Sequence, residues 1–141
     1  MTDRVTIFAP ASASNLGPGF DVLGLALEKP GDLVEAEVAA APGVRIVEVT
    51  GADSLSTDPD RNVAGIAAAA VLRRSGPNAP GVRLWLHKQM PLASGLGSSA
   101  ASSVAAATSH CRVFSGGRAC APEIVISSFM RGVPGEEGDY R

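Results

Sequence analysis

The sequence has few of the residues that would place it in a specialised class of protein. Aromatic residues make up 4% and charged residues 18% of its 141 positions, and 12 basic and 14 acidic side chains leave a formal net charge of -2. Proteins that bind nucleic acid usually carry a basic face, so this balance argues against a nucleic-acid partner. With 45% hydrophobic residues, the composition is typical of one globular domain rather than of a disordered or collagen-like chain.

Long apolar runs, signal-peptide features and cysteine motifs are also missing. The longest apolar run, Val63 to Leu72, has ten residues, whereas a helix that spans a bilayer needs about 20. The N-terminus lacks the basic-then-apolar pattern of a secretory signal, so we expect a cytoplasmic protein without a membrane partner. Cys111 and Cys120 match no zinc or redox motif and are too few for a disulfide framework, so we interpret them as incidental.

Extended segments dominate the first part of the chain. Residues 4–9 form a β-rich run that ends at Pro10, and the small, polar, Gly and Pro residues that follow predict a loop. Extended character resumes over 20–27, 33–39 and 44–49, the last two with alternating polar and apolar residues. Breaks at Pro30-Gly31 and Pro42-Gly43 predict that these strands form an antiparallel meander.

Two helices and one further strand are predicted in the second part. A helix over 62–74 has capping candidates at 57–60 and ends at Ser75-Gly76-Pro77. Residues 81–88 alternate as a strand, with Val82, Leu84 and Leu86 on one face and Trp85 and His87 on the other. A glycine- and serine-rich loop over 91–99 then leads into a small-residue helix that we expect to end near residue 107.

The segment Gly95-Leu96-Gly97-Ser98-Ser99 has the chemistry of a phosphate-binding loop. Glycines let a backbone approach an anion closely, and the free N–H groups at a helix N-terminus point toward it. The hydroxyls of Ser98 and Ser99 would cap the helix or ligate a Mg²⁺ ion shared with the phosphate. The segment lacks the Gly-Lys-Ser/Thr ending of a P-loop, and the alternative interpretation is a glycine-rich turn capped by serine.

A second polar constellation lies near the N-terminus, where Asn15 and Asp21 bracket a Gly-Pro-Gly turn. An Asn amide both donates and accepts hydrogen bonds, and an ionised Asp only accepts them. Together they would hold the amino and hydroxyl groups of a small substrate. The alternative is an Asx-turn at Asn15 with a solvated Asp21.

Three segments, APASASNLGPGFDVLGLAL, TDPDRNVAG and PLASGLGSSAASS, resemble the GHMP kinase superfamily, and within it the homoserine kinases most closely. The resemblance covers about residues 4–107. It implies an α+β fold, the GHMP-kinase N-terminal domain of the ribosomal protein S5 domain 2-like type, with an antiparallel-rich sheet packed with helices. It also implies ATP and Mg²⁺ as cofactors, L-homoserine as the second small-molecule substrate, and a homodimer as one option for the full-length family member.

The resemblance also implies roles for individual residues. Asn15 and Asp21 match positions expected to touch homoserine, Asn62 lies in the segment on the nucleotide side, and Ser98 or Ser99 would ligate Mg²⁺. No catalytic base is assigned. The positions matching the ATP-binding loop are Pro91, Ser94, Gly95, Leu96, Gly97, Ser98, Ser99 and Ala100.

The implied activity is phosphorylation of the L-homoserine hydroxyl by ATP, giving O-phospho-L-homoserine in threonine biosynthesis. Phosphoryl transfer depends mainly on positioning and on neutralising phosphate charge, so this activity needs no strong base. Two alternatives stay open. One is a different GHMP kinase that acts on a mevalonate-like or sugar hydroxyl, and the other is a non-catalytic nucleotide-binding fragment.

Residues 108–141 depart from the family, whose members are considerably longer. We therefore divide the chain into an ATP-binding domain over 1–107 and an unassigned tail over 108–141, in which 123–130 is the one predicted element, a strand. The switch inside a helix raises the hypothesis of a changed reading frame near residue 107. The chain looks truncated relative to the family, and we expect the 141-residue polypeptide alone to be inactive as a kinase.

Overall fold

The sheet is built from four strands, and two helices cover one of its faces. The computed structural model describes residues 4–114, without the side chain of Asp21. The strands are β1 (Val5–Leu16), β2 (Gly19–Ala39), β3 (Val44–Thr50) and β4 (Gly81–His87), and the helices are α1 (Val63–Arg74) and α2 (Ser98–Phe114). The sheet order is β1-β2-β4-β3, with β1–β2 and β2–β4 antiparallel and β3–β4 parallel. The predicted α+β class with an antiparallel-rich sheet is confirmed.

The predicted meander is wrong, because β4 lies between β2 and β3. Parallel neighbours need a crossover connection, and α1 supplies it between β3 and β4. The break at Pro42-Gly43 therefore sends the chain past the adjacent position in the sheet rather than into a hairpin. The topology brings the carboxyl ends of β3 and β4 to the same edge of the sheet.

The residues predicted as a loop after Pro10 instead complete a long β-hairpin. β1 continues to Leu16, and β2 runs without interruption through Pro30. The register shifts between Pro10 and Ser12, so Pro30 lies in a bulge where the ladder does not need its missing N–H. Among residues 4–114, no third strand pairs with the hairpin beyond the residues of β2 that pair with β4, and Phe20 and Val22 are 65% and 82% exposed.

The core lies between the sheet and the two helices. Alternation along β2 and β4 directs Val34, Ala36, Leu84 and Leu86 inward, and the predicted shared face of Val82, Leu84 and Leu86 is confirmed. The helices meet one another and the sheet through small residues, which lets their backbones approach closely. The helical residues of this core are Ala64, Ala68, Ala101, Ala105 and Ala106.

Helix α1 begins after Asn62, whose side-chain oxygen accepts a 3.0 Å hydrogen bond from the N–H of Ala64. The cap is thus Asn62 rather than one of the candidates at 57–60. Arg73 and Arg74 occupy the last turn, where positive charge complements the helix dipole. The helix ends where predicted, at Ser75.

Helix α2 does not end near residue 107 but continues to Phe114. Its buried positions recur every three or four residues across this point, so one helical face packs against the core along its length. They include 98, 101, 102, 105, 106, 109 and 110. The predictions for Cys120 and for a strand over 123–130 fall outside the described residues.

Within residues 4–114, neither helix is long and apolar enough to cross a membrane.

We predict that His110 makes stability depend on pH. The imidazole is fully buried, neither ring nitrogen has a hydrogen-bond partner among residues 4–114, and desolvation lowers its pKa from 6.5 to about 4. In the unfolded chain His110 becomes protonated as the pH falls below about 6.5, whereas in the folded chain it stays neutral until about pH 4. The free energy of unfolding should therefore fall as the pH decreases from 6.5, by about 3 kcal/mol in total.

Urea unfolding of the parent chain and of His110→Leu across this range measures the effect. The variant should lose the decline with pH. The informative region lies above the ordinary pKa values of Asp32 and Glu37, 3.8 and 4.5, because protonation of these carboxylates adds its own loss at lower pH. An equal decline in both proteins above those values would contradict the assignment.

Candidate functional site

The loop over 91–97 connects the sheet to α2 and presents mainly backbone. Ala93, Gly95 and Gly97 have positive φ angles of 57°, 74° and 72°, so every second residue is in the left-handed region. The Ser94 hydroxyl donates to the carbonyl of Pro91 at 2.7 Å and closes the first turn. Backbone that turns repeatedly in this way is typical of concave sites where N–H groups converge on an anion.

The N-terminus of α2 adds donors at the end of this loop. The first helical hydrogen bond runs from the N–H of Ala101 to the carbonyl of Gly97, at 2.9 Å. The N–H groups of Ser98, Ser99 and Ala100 therefore have no acceptor within the helix. The first turn contains no acidic residue that would repel an anion. The predicted loop entering a helix is present, and its donors are suited to phosphate oxygens.

Strand β1 holds the loop from the other side. The N–H of Ser12 donates to the carbonyl of Leu96 at 3.0 Å. A Cβ at Gly97 would lie 2.6 Å from the Ser12 hydroxyl oxygen, closer than real contacts allow. The positive φ angle favours glycine at this position, and a Cβ there would also force the Ser12 hydroxyl to move.

A buried polar cluster, missed by the sequence analysis, lies beneath the loop. Asp32 accepts hydrogen bonds at one carboxylate oxygen from the backbone N–H groups of Gln89 (2.9 Å) and Met90 (3.3 Å). Its other oxygen accepts from the hydroxyls of Ser98 (2.9 Å) and Ser102 (3.1 Å) and forms an ion pair with Lys88. The two oxygens thus accept from five donors in two parts of the chain, residues 88–90 and 98–102.

The charge state of Asp32 follows from these contacts. Burial acts to raise the pKa of the carboxyl, but the hydrogen bonds from Lys88, Gln89 and Ser98 and the Lys88 charge outweigh it and hold the pKa below its ordinary value. A sequence signal for the cluster exists. Asp32 is in phase with the inward-facing Val34 and Ala36, and Lys88 is in phase with Leu84 and Leu86.

The two serines proposed as Mg²⁺ ligands differ in their surroundings. Ser98 is buried, and its hydroxyl donates to Asp32. Ser99 is exposed, and its carbonyl accepts a 2.9 Å hydrogen bond from the Ser103 hydroxyl. No group of three His, Cys, Asp or Glu side chains that could hold a metal by themselves occurs in the part of the chain that the structure describes.

The other predicted site residues lie on different elements. Asn15 is exposed near the end of β1 with a φ angle of 58°, and the backbone of Asp21 lies in β2 across the hairpin. Asn62 is buried at the start of α1, where its side chain caps the helix and also donates to the carbonyl of Ser56 at 2.8 Å. The crossover topology places the N-termini of α1 and α2 at the same edge of the sheet.

Trp85 and His87 lie on the sheet face opposite to the helices. The Arg4 guanidinium lies 4.0 Å from the centre of the Trp85 ring, and the His87 ring nitrogens lie 3.1 Å from Glu35 and 3.0 Å from Thr50. Glu37 and Arg83 form an ion pair on the same face at 2.7 Å. These side chains therefore belong to the open sheet face and not to the loop site.

Comparison with known proteins shows what the chain is similar to. Residues 62–126 match the model of the GHMP kinases N-terminal domain. The chain is 50% identical to a homoserine kinase of Arabidopsis thaliana over 95 residues, and 49% identical to one of Methanopyrus kandleri over 115 residues. These alignments cover 64% and 81% of this chain but only 26% and 36% of the relatives, so the chain spans about a third of their length or less.

Solved structures agree with this likeness. A homoserine kinase from Cytophaga hutchinsonii superposes with a TM-score of 0.82 at 38% identity, over 94% of this chain and 41% of that one. A mevalonate kinase from Methanococcus jannaschii superposes with a TM-score of 0.66 at 15% identity, over 91% of this chain and 45% of that one, which shows a common fold. The predicted N-terminal fold is therefore confirmed.

We predict that Gly97→Ala weakens binding of inorganic tripolyphosphate and MgATP by about tenfold or more, because the positive φ angle strains an alanine and the added methyl group crowds the loop against Ser12. Gly43→Ala is the matched control. Gly43 also has a positive φ angle, 95°, but a Cβ there meets nothing within 4 Å, and the residue lies in the turn before β3.

Titration calorimetry gives the affinities and thermal unfolding gives the cost of the strained backbone. Both variants should lower the melting temperature, while only Gly97→Ala should lower affinity for the anions. Equal affinities for the two variants would contradict the loop assignment.

Proposed function

We propose that this chain, which carries the N-terminal domain fold of the GHMP kinases, supplies the ATP-binding half of a cytoplasmic kinase that phosphorylates L-homoserine. The product would be O-phospho-L-homoserine, formed by transfer of the γ-phosphoryl group of ATP to the side-chain hydroxyl in threonine biosynthesis. The observation that carries the proposal is the glycine loop before α2, where N–H groups without helical acceptors meet a close approach to β1. Identities of 49–50% to homoserine kinases support the choice of substrate.

The loop would hold the phosphates of ATP through its backbone. The free N–H groups of Ser98, Ser99 and Ala100 and the positive end of the α2 dipole would stabilise negative charge on the phosphate oxygens. Pro91 and Ser94 would shape the first turn, and Gly95, Leu96 and Gly97 would keep side chains away from the phosphates. Asn62, the N-cap residue of α1, lies at the same edge of the sheet and would line the nucleotide side of the site.

Ser99 fits the proposed Mg²⁺ site better than Ser98 does. The exposed Ser99 hydroxyl at the first turn can face a cation held by phosphate, whereas Ser98 is buried and its hydroxyl points to Asp32, to which it donates a hydrogen bond. When bound, Mg²⁺ supplies neutralisation of phosphate charge. The further ligands would come from the phosphates and from water, as is usual for Mg²⁺ at nucleotide sites.

Asn15 and Asp21 would orient homoserine from the hairpin. The Asp21 carboxylate would accept hydrogen bonds from the substrate ammonium group, and the Asn15 amide would contact a second polar group. The hairpin is tied to the phosphate loop at Ser12, so acceptor and donor would be held on one framework. Catalysis would depend on this alignment and on charge stabilisation, without a general base.

Two alternatives are kept because specific observations favour them. The mevalonate kinase likeness in fold leaves room for another GHMP kinase that acts on a different hydroxyl. A panel of acceptor alcohols separates this alternative from homoserine kinase. The chain spans only 26% and 36% of the length of the Arabidopsis thaliana and Methanopyrus kandleri homoserine kinases. This short span favours the second alternative, a fragment that binds nucleotide without catalysis.

We predict that the 141-residue chain binds MgATP but shows no homoserine-dependent release of ADP. In-line transfer needs acceptor and phosphate aligned, and a displacement of about 1 Å can cost on the order of a hundredfold in rate. A chimera should restore turnover when it joins residues 1–114 to the corresponding remainder of the Cytophaga hutchinsonii enzyme. A coupled ADP assay compares the two proteins, and equal turnover would contradict the prediction.

We predict that Asp21→Asn in this chimera raises the KM for homoserine by about tenfold or more and leaves the affinity for MgATP within about threefold. The amide keeps the shape of the carboxylate but loses the charge that attracts the substrate ammonium. Asp53→Asn is the control, because Asp53 is an exposed acidic residue in the segment between β3 and α1. An equal loss of affinity for both substrates in Asp21→Asn would indicate a folding role instead.

A further inference from the structure

Asp32 connects the two ends of the phosphate loop through one carboxylate. Gln89 and Met90 precede the loop and donate to one oxygen, and Ser98 follows the loop and donates to the other. The loop between them makes few side-chain contacts of its own, since residues 91–95 are exposed. The separation of its ends is therefore fixed from below, by a residue on β2.

We propose that Asp32 is a positioning residue that holds both ends of the loop through its hydrogen bonds, with Lys88 as its buried counterion, and so sets the geometry with which the loop binds an anion. The inference deepens the function proposed above and depends on it for the identity of that anion. Neither side chain is placed to touch a nucleotide, because the side chains of Lys88 and Asp32 are 3% and 0% exposed.

Lys88 completes the arrangement by occupying the space between the carboxylate and α2. Its ammonium group donates to Asp32, to the carbonyl of Ser98 at 3.2 Å and to the hydroxyl of Ser102 at 2.6 Å. All three of its protons are thus used. Ser102 accepts from Lys88 and donates to Asp32. The start of α2 is therefore bonded to this pair at Ser98 and again one turn later at Ser102.

The energetics of buried ion pairs favour a role in position rather than in stability. Removing two charges from water costs about as much as their attraction returns, and well-packed apolar residues often serve the fold equally well. Apolar residues cannot accept hydrogen bonds from two backbone N–H groups and a serine hydroxyl. What the carboxylate provides uniquely is therefore the connection between the loop ends.

Two neutral double variants separate these roles. In Asp32→Asn with Lys88→Met, the Asn oxygen still accepts from Gln89 and Met90, and its NH₂ group donates to the Ser98 hydroxyl. In Asp32→Leu with Lys88→Met, the charges are also gone, but neither end of the loop has a partner. If the pair had only a structural role, both variants would show the same hydrogen exchange in the loop and the same affinity for MgATP.

Hydrogen exchange of the ligand-free chain gives the first measurement. Amides of residues 91–100 should exchange at close to the parent rate in the Asn variant and about tenfold faster in the Leu variant. Peptides from α1 serve as the internal reference and should be unchanged. Exchange over 91–100 that does not differ between the two variants would overturn the proposal.

Affinity for MgATP, measured by calorimetry, gives the second. The Asn variant should bind within about threefold of the parent, and the Leu variant about tenfold or more weakly. Glu37→Gln with Arg83→Met, on the opposite sheet face, is the matched ion-pair control and should bind like the parent. Equal affinity of the Leu variant and the parent would overturn the proposal.

Two further serine variants keep the test valid if the Leu variant does not fold. Ser98 and Ser102 are both buried on α2 and donate to the same oxygen of Asp32, but only Ser98 adjoins the loop. Ser98→Ala should speed exchange over 91–97, and Ser102→Ala should not; equal effects would overturn the proposal. A parent chain that binds no MgATP would refute the proposed function, while the exchange rates would still decide whether Asp32 positions the loop.

Discussion

The arrangement of the site, as we propose it, depends on the hydrogen bonds that the buried carboxylate of Asp32 accepts, with Lys88 as its counterion. This ion pair lies on the inward face of the sheet, one step beyond the apolar residues that pack under the helices. Each charged group is surrounded by donors or acceptors, which is the condition for keeping charge in a protein interior. Because these partners come from the segment after β4 and from the first turn of α2, satisfying the charges also places the loop. The hydrogen bonds that satisfy these buried charges are thus the same bonds that fix the ends of the loop at the surface.

Local patterns in the sequence predicted the elements well, and pairing between distant strands less well. The helix over 62–74 and the strand over 81–88 depend on nearby residues, and both are present with nearly the predicted bounds. The insertion of β4 beside β2 depends on a crossover that no local pattern records. Pro30 was interpreted as a strand break because its place in a bulge follows from the partner strand.

The site divides in a similar way. The glycine loop was predicted from its own residues, because positive φ angles and close backbone approach demand glycine. The cluster around Asp32 was missed, although strand phase placed both charged residues on the inward face. The end of α2 was predicted too early, since the change in composition near residue 107 outweighed the three-and-four spacing that continues to His110. Spacing on one helix face is the more reliable of these two signals here.

The alanines between α1 and α2 have a consequence for how this domain tolerates sequence change. Both helices contribute methyl groups to the core, with Ala64 and Ala68 on α1 and Ala101 and Ala105 on α2. A larger side chain at any of these positions would wedge the helices apart, since dense packing leaves no space to absorb it. The N-terminus of α2 would then tilt relative to the sheet and carry the glycine loop over 91–97 with it. Substitution of these alanines is therefore constrained by the position that the loop needs, although they lie in the core rather than in the loop, and their small size determines the geometry of the candidate site as its glycines do.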